Sequence, residues 1–203
     1  MNTLLADKKK TAAVSLVESI KIYEIANKAV LQGVEDAEKV ATTIVSRAIK
    51  AQTKGITLFA IDFAKVDAID RSVAAGICMA LTGIVGATWH QYFVLRNLTG
   101  PAKQILEIEM KEGDLVAVEF EADGSPQLFG DVNTVASGVE LWKYLLAEGE
   151  WKEVRDVIDD LNLPEVYVRA HLTRLYDYGL VFKYEQPRHH LYRAVGLKED
   201  LKG

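Results

Sequence analysis

The segment Ile56–Ile61 (ITLFAI) constrains the fold more than any other feature of the sequence. It is an almost unbroken apolar run that includes β-branched residues, and Asp62 ends it. A strand with one face in water alternates apolar and polar residues, whereas a strand covered on both faces is apolar throughout. The run therefore predicts a strand that is buried on both faces of a layered structure.

Helical patterns flank this strand. Apolar residues recur at steps of three and four in several segments, which is the spacing of an amphipathic helix. The predicted helices cover residues 33–52, 72–88 and 101–110. Pro101 fits the first turn of the last of them, where a missing N–H costs nothing.

Further apolar runs predict the remaining strands of the sheet, at residues 92–95 and 115–120. The turn sequence ADGSP then leads to a hairpin partner at 127–129. Residues 15–31 fit both strand and helix spacing, and we favour a strand first. Strands alternating with helices at this spacing predict an α/β fold with right-handed crossovers and a mostly parallel or mixed sheet.

The pattern changes after Gly130, where we place a domain boundary. From residue 137 three short helical segments, SGVELWKYLLAEG, EWKEVRDVIDDLN and LPEVYVRAHLTRLYDYG, precede the hairpin LVFKYEQPRHHLYRAV. The sequence thus predicts a flexible leader (1–12), an α/β domain (13–130) and a small α+β domain (131–203). Residues 198–203 are predicted to be a solvated tail.

The cysteine and the N-terminus bear on the compartment. The single cysteine, Cys78, cannot form an internal disulfide, and its apolar neighbours predict a buried structural thiol. The lysines at 8–10 follow a very short apolar patch, which is the reverse of a signal peptide. No run approaches the roughly 18 apolar residues of a membrane span. We expect a cytoplasmic protein with no membrane partner.

The sequence holds no recognisable catalytic or metal-binding motif. Its histidines are His90, His171, His189 and His190, and the adjacent pair in a hairpin would point to opposite faces. Neither a glycine-rich phosphate loop nor a G-x-S-x-G nucleophile motif is present. We therefore expect a non-enzymatic protein with no metal and no cofactor.

Residues 56–81 (ITLFAIDFAKVDAIDRSVAAGICMAL) and 92–108 (YFVLRNLTGPAKQILEI) resemble STAS and STAS-like domains, the fold of anti-anti-sigma factors. The resemblance implies a surface for a protein partner, such as a kinase or a sigma regulator. In that family a D-S-[ST]-G-L type motif opens a helix, and its first hydroxyl is phosphorylated. Here the loop aspartate is Asp70, Arg71 stands at the phosphorylated position, and Ser72 follows.

Two interpretations of Asp70, Arg71 and Ser72 remain open. They form a phospho-switch or partner site if Ser72 is phosphorylated near the helix N-terminus and Arg71 pairs with the phosphate. The alternative, which we favour, is that Asp70 or Ser72 simply caps the helix. The small residues on that helix likewise suit a dimer interface or, preferably, close packing on the chain's own sheet.

Residues 137–195 resemble the winged-helix domains of bacterial transcription regulators. Apolar positions on three helices, the turn at 162–164, the GLV at 179–181 and the hairpin carry the resemblance. It implies a recognition helix and a wing that contact DNA. The implied DNA-binding residues are Tyr167, Arg169, Thr173 and Arg174 on the helix and Lys183, Arg188, His189 and Arg193 on the wing.

The charge of this region limits the expected affinity. The neighbouring helix carries Asp156, Asp159 and Asp160, which would repel phosphates if they faced the duplex. We expect a homodimer that reads two half-sites. The sequence thus favours a DNA-binding transcriptional regulator with a STAS-like domain that senses a partner or dimerises. The alternative is a protein–protein interaction switch whose winged helix docks protein.

Overall fold

The structure is a computed structural model that describes residues 14–52, 55, 57–85, 91–186 and 189–201. The predicted leader at 1–12 and the end of the helix predicted to reach residue 88 lie outside these residues. In chain order the elements up to Gly130 are β1 (Ser15–Lys21), α1 (Ile22–Ala26), β2 (Val30–Leu31), α2 (Gly33–Ala51), β3 (Thr57–Asp62), β4 (Ala68–Ile69), α3 (Arg71–Ile84), β5 (Gln91–Arg96), α4 (Gly100–Glu112), β6 (Val116–Phe120) and β7 (Pro126–Gly130).

A five-stranded sheet in the order β1-β3-β5-β6-β7 organises these elements. The first four strands are parallel, and β7 returns antiparallel to β6 through a tight hairpin. The predicted α/β class and the mixed sheet are confirmed, and so is the strand favoured at the start of residues 15–31. The two-residue strands β2 and β4 form a separate parallel pair that the sequence did not predict.

The strand order explains why the helices lie on one side of the sheet. Each parallel connection moves one strand further in the same direction, and right-handed crossovers of that kind place their helices on a single face. Side chains of α2, α3 and α4 accordingly pack into one core with Phe59, Ile61 and Phe93. The opposite face of the sheet needs another cover.

The C-terminal third of the chain supplies that cover. Its elements are a 3₁₀ helix (Val132–Gly138), α5 (Val139–Glu148), β8 (Lys152–Glu153), α6 (Val154–Leu161), α7 (Glu165–Asp177), β9 (Val181–Gln186), β10 (His189–Ala194) and a 3₁₀ turn (Lys198–Leu201). The three strands form a small antiparallel sheet in the order β8-β10-β9.

A second apolar core joins this C-terminal region to the sheet. Leu58 and Ala60 of β3 alternate with the residues that face α2 and α3, and they pack with Leu141 and Trp142 of α5. The rings of Tyr92 and Phe182 meet edge to face with centroids 4.6 Å apart. The prediction that β3 is buried on both faces is therefore confirmed, and the boundary placed near Gly130 is crossed by a continuous core.

Candidate functional site

Helix α7 lies at the surface of the C-terminal region, with one side anchored and the other exposed. Val168, Leu172 and Leu175 are fully buried in the second core. Their spacing of three and four residues places them on one stripe of the helix. The opposite stripe faces solvent over the whole length of α7.

The turn before α7 and two contacts fix its position. Asn162 adopts a left-handed conformation that ends α6, and a short turn leads from it into α7. The Tyr167 hydroxyl donates a hydrogen bond to the Ser137 carbonyl oxygen at 2.7 Å. At Gly138 an added Cβ would lie 3.2 Å from Cγ of Leu175, so a glycine permits this close approach. Both side-chain contacts therefore hold α7 against the 3₁₀ helix Val132–Gly138.

The exposed stripe of α7 carries two of the predicted arginines. Arg169 pairs with Glu165 one turn earlier, with Nε 2.7 Å from Oε1. Arg174 lies over the ring of Tyr178, 6.0 Å from its centroid. An exposed i,i+4 ion pair contributes only about 0.3–0.5 kcal/mol and an exposed cation–π contact about 0.5–1 kcal/mol, so either guanidinium group could give up its partner at small cost. Thr173 is exposed between them.

Val166 is the exposed residue on α7 that sequence reasoning missed. Its side chain is 81% exposed, although apolar residues in a helical pattern are normally assigned to the core. Ala170 and Thr173 lie on the same stripe. The signal available in the sequence was position, because Val166 precedes the core residue Val168 by two and therefore points away from it.

The predicted wing residues are less available than those on α7. Lys183 is only 19% exposed, pairs with Glu185 at 2.6 Å and lies over the ring of Tyr176. The Nδ1 atom of His189 lies 3.2 Å from a carboxylate oxygen of Glu153. Arg188 lies outside the described residues. In the described part of the wing, Lys183 and His189 therefore already lie against carboxylates.

Arg193 has an interior position, which removes it from the predicted DNA-binding surface. Its side chain is 12% exposed, and its Nη2 atom donates to Oδ1 of Asp200 at 2.5 Å. The guanidinium group also stacks over Trp151 and Phe182. In this position the guanidinium group contributes to the folded structure and is not available to contact DNA.

The same contact overturns the prediction of a solvated tail for residues 198–201, whereas residues 202 and 203 lie outside the described residues. Asp200 is buried, and its second oxygen accepts a hydrogen bond from the Leu197 backbone N–H at 3.1 Å. Burial raises the pKa of Asp200, and the charge of Arg193 opposes that shift. Residues 198–201 therefore form part of the folded structure.

The acidic residues of α6 are engaged in local contacts. The Asp156 carboxylate accepts from the Glu153 backbone N–H and caps the helix. Asp159 lies 3.8 Å from Arg155, and Asp160 accepts from the Tyr144 hydroxyl. These contacts reduce the repulsion toward an approaching phosphate but do not remove the negative charge.

At the other candidate site, Asp70 is a shared cap for two helices. Its Oδ1 accepts from Val73 N–H at 3.0 Å, and its Oδ2 accepts from Gly33 N–H at 2.6 Å. The carboxylate therefore accepts a hydrogen bond from a backbone N–H group in the first turn of α3 and from another in the first turn of α2. The capping interpretation of Asp70 is confirmed.

The neighbours of Asp70 do not form a ready phosphate cradle. Arg71 reaches away to Glu109 and Glu112 of α4 and forms an ion pair with each. Ser72 is exposed in the first turn of α3. A phosphate on Ser72 would have to take Arg71 from two carboxylates, so the structure does not bring the three residues together as one anion site.

The described residues give little support for metal binding, for a reactive thiol or for a membrane span. They contain no group of three or more His, Cys, Asp or Glu side chains that could hold a metal ion. Cys78 is buried as predicted, and burial raises the pKa of its thiol to about 12, which disfavours a reactive thiolate. Within the described part of the chain, each helix is too short or too polar to cross a bilayer.

Comparison of the chain with protein-family models, with curated proteins and with solved structures finds no match.

Proposed function

We propose that this protein is a non-enzymatic, cytoplasmic transcriptional regulator that contacts duplex DNA through α7. The order of elements in the C-terminal region supports the proposal. A helix, a short strand, two helices joined by a tight turn and a hairpin follow one another, and the short strand pairs with the second hairpin strand. This order resembles that of winged-helix domains, in which the third helix enters the major groove.

The observation that carries the proposal is the exposed side of α7. A recognition helix needs one anchored stripe and one free stripe with side chains that reach base edges and phosphates. On α7 the anchored residues are fully buried, whereas Arg169, Thr173 and Arg174 are exposed. Tyr167 is pinned at its hydroxyl, so it positions the helix and is a weaker candidate for direct contact.

The scarcity of free cations implies a dimer. Lys183 and Arg193 are mostly buried in ion pairs and His189 lies beside Glu153, which leaves the two exposed arginines of α7 as the main phosphate contacts. Two such contacts give only a weak, salt-sensitive complex. A two-fold homodimer would double the contacts and read two half-sites about one helical turn apart. In this proposal the STAS-like half dimerises or receives a protein signal.

A protein-interaction switch is the second candidate, and one observation favours it. Lys183 and Arg193 on the wing side are held in ion pairs, and the exposed stripe of α7 carries the apolar Val166 in its first turn. Interfaces with proteins favour apolar centres and tolerate low net charge. In that case α7 docks a protein, and the STAS-like half binds a kinase or a sigma regulator.

Fluorescence anisotropy of the full chain on a random-sequence duplex pool, titrated with salt, tests the proposal. We expect binding at low salt that weakens steeply as salt rises. Arg169→Gln and Arg174→Gln should each make the slope of log K against log salt less steep, by about 0.9 for each phosphate contact that is lost. Lys50→Gln, at an exposed position on α2 across the sheet, is the matched control and should leave the slope unchanged. Absence of binding at low salt would favour the protein-interaction switch.

A further inference from the structure

The exposed side of α7 has an apolar centre with a cation on each flank. At about 100° per residue, Val166, Ala170 and Thr173 fall within about 60° of one another around the helix axis. All three are exposed, and Val166 is the most exposed large apolar side chain of the described residues. The three side chains therefore lie along one exposed stripe of the helix, and two of them, Val166 and Ala170, are apolar.

The two arginines lie on opposite sides of this line. By the same helical geometry Arg169 falls on one flank and Arg174 on the other, and each extends beyond the short side chains between them. The major groove is about 12 Å wide, which admits one helix between two phosphate backbones. An apolar centre with a cation on each flank is complementary to such a groove, since the floor presents bases and the rims present phosphates.

The first turn of α7 is the part that would reach deepest. In helix-turn-helix proteins the N-terminal residues of the recognition helix contact base edges. Val166 is the second residue of α7, and Ala170 follows one turn later. Their side chains cannot donate or accept hydrogen bonds, so the feature of a base edge that they can recognise is the 5-methyl group of thymine.

We propose that Val166, with Ala170, reads thymine by contact with its 5-methyl group in the major groove. This inference rests on the proposed DNA-binding function and adds the base class to it. Glu165 is the competing polar group of the first turn, and its carboxylate is held by Arg169. The duplex sites should therefore contain thymine opposite the N-terminal turn of α7 in each half-site.

The experiment compares duplexes that differ only in the thymine methyl groups. A duplex is selected from a random pool with the full chain, and each thymidine is then replaced in turn by deoxyuridine. Loss of one buried methyl should weaken binding about fourfold at one or two positions in each half-site. With Val166→Ala, binding to the thymine duplex should weaken, and the difference between thymine and uracil should disappear at the position that Val166 contacts while any difference at the Ala170 position remains.

Val34→Ala is the matched control, because Val34 is a highly exposed valine on α2, on the far side of the sheet. It should bind and discriminate like the wild type. Binding without any effect of uracil, or discrimination that survives Val166→Ala unchanged at every position, would overturn the thymine inference and leave the DNA-binding function standing. Absence of duplex binding would overturn both.

Discussion

The guanidinium group of Arg193 and the carboxylate of Asp200 form an ion pair that is almost closed to solvent, with Nη2 2.5 Å from Oδ1. This pair ties strand β10 to the 3₁₀ turn at the end of the described chain. Removal of one partner from such a pair leaves the other charge buried and uncompensated.

Asp200→Ala should therefore lower the free energy of unfolding by about 3 kcal/mol, because it strands the Arg193 cation. Urea unfolding followed by circular dichroism measures the change. Glu199→Ala, at the exposed neighbouring position, is the control and should change stability by less than about 0.5 kcal/mol. Combining Asp200→Ala with Arg193→Met should recover part of the loss, and equal effects of the Asp200 and Glu199 variants would contradict the structure.

Glu165→Gln should strengthen DNA binding. The substitution frees Arg169 from its intrahelical partner and removes a negative charge from the first turn of α7. The ion pair contributes about 0.3–0.5 kcal/mol, so we expect a gain of about twofold at low salt. Glu38→Gln, an exposed position on α2, removes the same charge elsewhere and controls for net charge. An unchanged affinity in anisotropy would argue against a contact between Arg169 and DNA.

The stabilising contribution of the Asp36 carboxylate should be lost in acid. The Lys28 ammonium and the Gln32 backbone N–H both donate to its carboxylate at 2.7 Å and lower its pKa below the usual 3.8. A carboxyl with a lowered folded-state pKa stabilises above its unfolded pKa, and that contribution is lost as pH falls through the folded value. Denaturant unfolding from about pH 6 down to about pH 2 should show the loss in the wild type.

In the Asp36→Asn variant this part of the pH dependence should be absent. Glu35→Gln, at the exposed position beside it, should keep the wild-type profile. Parallel profiles for the wild type and Asp36→Asn would show that the pair with Lys28 does not contribute.

Gly179→Ala should destabilise the protein more than Gly124→Ala. Both glycines have a positive φ, near +70° and +76°, so an alanine costs about 1–2 kcal/mol at either position. At Gly179 the added Cβ would also lie 2.7 Å from Cγ1 of Val85, whereas at Gly124 the nearest atom is 4.0 Å away. Thermal unfolding should show a further loss of about 1–3 kcal/mol at Gly179. Equal losses would mean that Val85 moves aside without cost.

The sequence predicts best the elements that have a strong periodic or continuous apolar signal. The run before Asp62 identified the central strand and its burial on both faces, and the three-to-four spacing identified α2 and α7. The two-residue strands β2, β4 and β8 carry no periodic signal, because two residues cannot show an alternation.

The candidate site was harder to predict because charge alone does not tell where a side chain goes. Arg193 lies on a strand of a hairpin that resembles a wing, but its partner Asp200 comes from a segment too short and polar to suggest burial. Val166 was assigned no role, since an apolar residue in a helix is normally a core residue. The interior place of Arg193 depends on a long-range contact that only the fold determines, whereas the exposure of Val166 follows from its position relative to Val168.

The shared second core has a consequence for how the chain folds and can be divided. Strands β3, β5 and β6 each contribute side chains to both faces of the sheet, so neither half can lose its structure without exposing the other. We expect a single cooperative melting transition and similar hydrogen-exchange protection in the sheet and in α5. A fragment that ends at residue 130 would carry an uncovered apolar sheet face, which is a surface prone to aggregation.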